Sequence, residues 1–301
     1  MKTAEAFAPA HITGLFQICD ESADLLYKGS KGAGVLLKHG VKTKVTLKNA
    51  PENNLEIWIN GRKTVSANVS ETVAKDFLSK LKEKIAVTVE HTVHVPIGAG
   101  FGSSGAAALS LALTLNRALN LGLTSIEAAQ TAHTAEILCK TGLGTVIAET
   151  FGGLEIRTEP GAPGIGKVQH IPISDDYKVV CLSFGSLSTR KALADTKLRR
   201  RINEWGGKLL ESLMEEPSLK NFLRFSKGFA EHTGLITERV RRVLNEIDAS
   251  GIVCSMPMFG EGAFSIAKKD DLETLLEIFR RHGSADKILV SEIDFGGARL
   301  L

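Results

Sequence analysis

The 301-residue sequence carries little net charge, since 37 Lys and Arg against 34 Asp and Glu leave a formal balance of +3. So small an excess gives no reason to expect a nucleic-acid partner. Cysteine is scarce too. Cys19, Cys139, Cys181 and Cys254 stand far apart, with no CxxC pair and no His-linked metal spacing, as expected of reduced, mostly buried thiols in a cytoplasmic protein. Long apolar runs are missing: the stretch from Ala106 to Leu115 is too short and too polar to span a bilayer, and the opening MKTAEAFAPAH has no apolar leader core. Neither a membrane nor secretion is expected. What remains, 43% hydrophobic and 24% charged residues, is the composition of a soluble enzyme long enough for a large core and two domains.

The most informative stretch runs from Val87 to Asn116. Val87, Val89, Val93 and Val95 alternate with polar residues, which predicts a strand with one buried face, and Pro96 ends it. Gly98, Gly100, Gly102 and Gly105 follow and leave backbone N–H groups uncovered, while Ser103 and Ser104 stand where a helix begins and its first donors lack partners. This arrangement predicts an anion site, most naturally for phosphate. The Lys that a Walker A loop requires is absent. Gly100, Gly102 and Gly105 do spell GxGxxG, with Glu127 some way on, but a dinucleotide fold wants a continuously apolar strand, and Glu127 sits three residues after Thr124 as in a capping box. A glycine-rich turn with a capped helix and no ligand is the plain alternative.

Along the rest of the chain, Thr3 to Ala8 reads as a short strand stopped by Pro9, with His11 most simply a hydrogen-bonded core residue. Residues 27–34 form a second glycine cluster around Ser30 and Lys31, a tight turn or a ligand loop. Strands are expected at Val35–Leu37, Thr43–Lys48 and Leu55–Ile59, the last two antiparallel, then a helix over Val73–Leu81. Thr124 caps a helix to about Cys139. On it His133, Glu136 and Lys140 share one side, which on spacing alone is a solvated face. That helix runs into TGLGT, a helix-like VIAETF and a strand LEIRT carrying Arg157. A carboxylate beside a triphosphate commonly holds magnesium, and Arg suits a carboxylate or phosphate through its forked geometry. EPGAPGIGKV at 159–168 marks a domain boundary. Beyond it a strand Tyr177–Phe184, a helix Thr189–Glu204 with a basic KLRRR run, helices Leu219–Thr233 and Thr237–Asp248, a strand–turn–strand at 252–267, a helix through Arg281 and a strand Ile288–Ile293 predict a second α+β unit.

These residues carry a resemblance. VPIGAGFGSSGAAALSLA resembles the phosphate loop of the GHMP small-molecule kinases, and FAPAHITGLFQI, GSKGAG and AHTAEILCKTGLGTVIAETFGGLEIR narrow it to the archaeal pantoate kinases. LSFGSLSTRKAL, GFAEHTGL and MFGEGAFSIA extend it over nearly the whole chain. The resemblance implies an α+β GHMP kinase fold, with an N-terminal ribosomal-protein-S5-like domain over 1–162 and a C-terminal ferredoxin-like domain over 163–301. It implies ATP-dependent phosphorylation of the primary hydroxyl of pantoate to 4-phosphopantoate, toward coenzyme A. Pro96, Gly98, Gly100, Gly102, Ser103, Ser104, Gly105 and Ala106 are then the ATP-binding positions, Ser104 and Glu136 hold Mg2+, and Ser30, His133 and Arg157 hold pantoate. Ser104, Glu136 and position 145 are the implied catalytic set. At 145 the expected TGLGD motif has Thr145, which cannot take a proton as a carboxylate does near neutral pH. Kinases of another small hydroxy acid or alcohol, and an ATP-binding regulator without turnover, therefore stay open. A homodimer is allowed but not required.

Overall fold

The computed structural model describes residues 2–187 and 194–301. Its larger sheet is built on two long antiparallel strands, β1 (Lys2–Cys19) and β2 (Gly29–Asn49). The expected stop at Pro9 does not occur. Register shifts between Pro9 and Ala10 and between Thr13 and Leu15 absorb the residue that lacks an N–H, so the strand bends and continues. The second glycine cluster is likewise neither a turn nor a loop: Gly29 to Gly34 pair with Cys19 to Thr13 as the first part of β2.

Two partners divide the far edge of β2. Its second half, Val41–Asn49, pairs with β5 (Ile85–Val93), and Gly32–Val35 pair with β6 (Leu154–Glu159). The strand expected at Leu55–Ile59, β3 (Asn54–Ile59), does not pair with β2. It runs parallel to β5, reached by a crossover through β4 (Arg62–Thr64) and helix α1 (Asn68–Ser79). Lys167–His170, β7, still belongs to this sheet through β6. Helices α2 (Ser103–Leu119) and α3 (Ser125–Cys139) cover one face; Leu109, Leu111, Leu113 and Leu115 of α2 are buried with Val41, Val45 and Val89.

A second sheet has the order β10 (Ile288–Glu292), β8 (Lys178–Ser186), β9 (Gly260–Ala267), all antiparallel. Of the strand–turn–strand expected at 252–267 only β9 is a strand; Ser255 makes one bridge to Phe264. The helix expected at Thr189–Glu204 is found as Thr196–Glu215, and positions 188–193, including Thr189, lie outside the described residues. Helices Leu219–Thr233, Glu238–Ala249 and Asp270–His282 complete this half. The chain then returns to the first sheet, where β11 (Arg299–Leu300) joins β1. Among the described residues no helix is long and apolar enough to cross a membrane.

The two halves share a core. Phe16 of β1 meets Phe229 and Phe259 edge-on, each at a centroid distance of 5.7 Å. Such aromatic pairs add about 0.5–1.5 kcal/mol each beyond the area they bury. Gly206 packs on the Phe16 carbonyl, where a side chain would collide with backbone. The contact fixes the floor of the cleft between the halves, because Phe16 and Phe259 also line it.

Candidate active site

The cleft is walled on one side by the loop between β5 and α2. Gly98, Gly100 and Gly102 have φ of 73°, 83° and 64°, a left-handed region that side chains other than glycine's rarely occupy. Gly102 is the N-cap of α2 and supplies no side-chain acceptor, so the Ser103, Ser104 and Gly105 N–H groups begin a 17-residue helix without a capping side chain. Ala106 N–H closes the first turn on the Gly102 carbonyl at 3.1 Å. Unsatisfied donors and the positive end of the helix dipole make this an anion site. The other half of the protein shapes it: a Cβ on Gly100 would lie 2.9 Å from both the Gly260 nitrogen and the Met258 carbonyl. The MFGEGAFS segment thus presses on the loop from behind.

Two acids lie beneath that loop. The Thr124–Glu127 capping box starts α3 as its sequence predicts, but the side carrying His133 and Glu136 is buried, not solvated. Glu136 Oε1 accepts from Thr141 Oγ1 at 2.6 Å, and Oε2 has no partner. Burial pushes its pKa up, against the pull of Thr141 and Ser104. The second acid is Glu149, on α4 (Thr145–Phe151), which sequence reasoning passed over as part of an apolar helix. It is fully buried and neither oxygen has a partner. Burial first, then the Glu136 charge, hold its carboxyl well above the usual range.

Thr145 begins α4, so Thr145 and Glu149 lie one turn apart on one face. A Cβ on Gly102 would stand 2.7 Å from Thr145 Cγ2 and 2.8 Å from Glu149 Oε1; on Gly105 it would stand 2.9 Å from Glu149 Oε2. Both glycines are needed for this approach. On its other side Thr145 Oγ1 neighbours Glu136: the place of a Gly142 Cβ is taken by Glu136 Oε2, with Thr145 Oγ1 3.2 Å from that point. Among the described residues no group of three or more metal-ligating side chains occurs. Two carboxylates with unpaired oxygens, a Ser hydroxyl and an adjoining phosphate site nevertheless fit Mg2+, which is usually held by one or two carboxylates plus substrate phosphates.

Across the cleft, β2 turns Ser30, Gly32 and Gly34 to one face, as alternation in a strand requires. The two glycines form a trough. Arg157 of β6 lies over Gly32, where a Cβ would come 2.6 Å from its Nη2, and the His11 ring of β1 lies over Gly34. Glu155, two residues before Arg157 and on the same face of β6, joins them: its Oε1 accepts from Arg157 Nη1 and from His11 Nε2, the latter at 3.0 Å. His11 Nδ1 and Thr13 Oγ1 are 3.3 Å apart. Burial outweighs Glu155 and lowers the His11 pKa, so the neutral ring donates through Nε2. Arg157 is 1% exposed and its Nε has no partner.

Ser30, Arg157, Thr145, Ser103 and Ser104 all line this cleft. His133 is not brought to it. Its ring is buried and Nε2 donates to the Lys28 carbonyl at 3.0 Å, two residues before Ser30. The Gly152–Gly153 corner before Arg157 receives the returning C-terminal tail and the His170 ring, not a ligand. A second depression shares Gly98, Ser103, Ser104 and Thr141 with the cleft and opens beyond them onto Val69, Val93 and Ile97.

Residues 68–153, which span α1, the glycine loop and both buried acids, match the model of the GHMP kinases N terminal domain. The chain is 36% identical to the pantoate kinase of Methanocaldococcus jannaschii over 91% of its own length and 96% of that protein's. It is also 36% identical to the pantoate kinase of Thermococcus kodakarensis, over 89% of each. The chain belongs to the pantoate kinase family. Its GHMP kinase fold is shared with a solved phosphotransferase related to the CoA biosynthesis pathway, at a TM-score of 0.90 and 31% identity over 99% of this chain and 98% of that one. Mevalonate diphosphate decarboxylase from Staphylococcus aureus, at 0.76 and 15% identity over 100% and 98%, shares the fold alone. Sequence reasoning passed over Glu149 and Glu155, whose spacing from Thr145 and Arg157 was the available signal; His11 is the hydrogen-bonded core residue the sequence predicts, with Glu155 as its partner.

Proposed function

We propose that this protein transfers the γ-phosphoryl group of ATP to the primary hydroxyl of pantoate, giving 4-phosphopantoate. One observation carries the reading: a single cleft has a phosphate end, where the donors of α2 lie above two buried acids, and a carboxylate end, where Arg157 keeps an unpaired donor. Backbone donors from Gly98 to Gly105 hold the β- and γ-phosphates, the Ala106 N–H being spent on the Gly102 carbonyl, and the apolar depression at Val69, Val93 and Ile97 takes the adenosine. Ser104, Glu136 and Glu149 would hold Mg2+, which when bound neutralises charge on the phosphates. Arg157 orients pantoate by its carboxylate and Ser30 lines its path, while His133 acts through the Lys28 carbonyl to place Ser30. The aromatic floor of Phe16 and Phe259 excludes water.

With Thr145 in place of a carboxylate, the reaction runs on alignment and charge stabilisation, which loose phosphoryl-transfer transition states permit. The two-domain division also belongs to this reading, with its boundary after His170, since Lys167–His170 remains in the first sheet. The test is ADP release with pantoate, mevalonate or homoserine, with and without Mg2+. Release that depends on pantoate and Mg2+ supports the proposal. ATP binding without release under every condition would make the protein a regulator, and release with another alcohol would change the substrate.

A further inference from the structure

We propose that Glu155 and His11 are positioning residues for carboxylate recognition: they lock the Arg157 guanidinium across the Gly32–Gly34 trough so that its Nε edge faces the ligand. The inference rests on the reading of Arg157 as the pantoate carboxylate site and adds the means by which that site is held.

The argument begins with what Arg157 does not use. A guanidinium presents its donors as a rigid fork, and a buried one normally fills them. Here Nη1 is taken by Glu155 while Nε is unpaired, although the side chain is 1% exposed. The pairing partner is itself fully buried and bound at the same oxygen by His11. Three strands therefore contribute to one assembly: β1 gives His11, β6 gives Glu155 and Arg157, and β2 gives only the glycines beneath them. A side chain on Gly32 or Gly34 would displace Arg157 or His11.

A buried ion pair adds little net stability compared with apolar packing, because desolvating both charges offsets their attraction. Its place beside the cleft therefore points to direction, not stability. Glu155 also neutralises most of the Arg157 charge before a ligand arrives, which weakens attraction for any anion at large. Binding then depends on meeting the unpaired Nε edge in the correct orientation. His11 keeps Glu155 from turning toward that edge, since Nε2 holds Oε1 while Thr13 holds Nδ1 on the other side of the ring.

The experiment compares Glu155→Gln, Glu155→Asp, Arg157→Lys and the double variant E155Q/R157K by steady-state kinetics, varying pantoate and ATP separately. Thermal melts confirm folding. Glu155→Gln should raise the pantoate KM by about tenfold or more and leave the ATP KM within about twofold. Glu155→Asp, which keeps the charge one methylene short, should fall between. The double variant should be no worse than Arg157→Lys, because both changes disable one unit. If Glu155→Gln unfolds, Glu155→Asp and His11→Gln carry the comparison. A pantoate KM that stays unchanged in the Glu155 and His11 variants but rises in Arg157→Lys overturns the positioning role alone. An unchanged pantoate KM in Arg157→Lys overturns the Arg157 reading with it.

Discussion

Replacing Glu149 by Gln should make the ligand-free protein more stable above neutral pH while making it a poorer enzyme. Glu149 is fully buried, neither oxygen has a partner, and burial together with Glu136 holds its carboxyl well above the usual carboxylate range. A carboxyl raised in this way favours the folded state only while it is protonated. Its contribution is therefore complete below the unfolded value and is lost as pH rises toward the folded one. Each tenfold difference in proton affinity between the two states is worth about 1.4 kcal/mol once both are passed. Gln cannot titrate, so the melting temperatures of the two proteins should be close near pH 5 and separate steadily toward pH 8.5. Roughly 2 °C of separation per kcal/mol is expected for a chain of this size. Scanning fluorimetry without nucleotide or divalent cation reads this directly. Added Mg2+ and ATP should then stabilise the parent more than the variant. Melting curves that run parallel across the whole pH range would refute the argument.

Gly105→Val should abolish ATP binding in a folded protein, because its Cβ would sit 2.9 Å from Glu149 Oε2 and 3.0 Å from Thr145 Cγ2; calorimetric titration with ATP measures it. Glu136→Gln should lower kcat about a hundredfold, the scale of losing one electrostatic contributor, and activity within threefold of the parent would remove Glu136 from the site. Thr145→Asp should lower both stability and turnover at pH 8, since it sets a third carboxylate between Glu136 and Glu149. Adding Glu149→Gln to that variant should recover much of the loss, and a single variant as active as the parent would show that position 145 is not crowded by charge.

How far the fold could be read from the sequence depended on whether a signal was local. Alternation identified β5, Thr124 and Glu127 identified the start of α3, and the glycines with Ser103 and Ser104 identified the loop that opens α2, because each is settled within a few residues. Pro9 and the glycines at 29–34 were read as breaks, yet they lie within strands. Their exceptions are granted by distant partners: β2 accommodates a bulge at Pro9, and the ladders from β1 and β6 hold a glycine segment extended. The parallel pairing of β3 with β5 is of the same kind, fixed by a crossover through α1 and not by the turn after β2. The family resemblance singles out His133 and Arg157 alike. Only the fold shows that His133 spends its donor on Lys28 while Arg157 retains one.

That last distinction carries the chemistry further than residue identity does. Around the cleft the unmade hydrogen bonds have opposite signs at the two ends. Glu136 Oε2 and both oxygens of Glu149 are acceptors without donors beside the phosphate loop, so that end calls for a cation. Arg157 Nε is a donor without an acceptor beside Ser30, so this end calls for an anion. Leaving such groups unpaired costs about 1–3 kcal/mol each, more where they are charged. A site that bears several of them is stable in a better sense with its ligands than without. On the proposed reading, Mg2+ with a nucleoside triphosphate answers the first end, and a hydroxy acid answers the second. The reaction that joins them is the transfer of phosphate from one to the other.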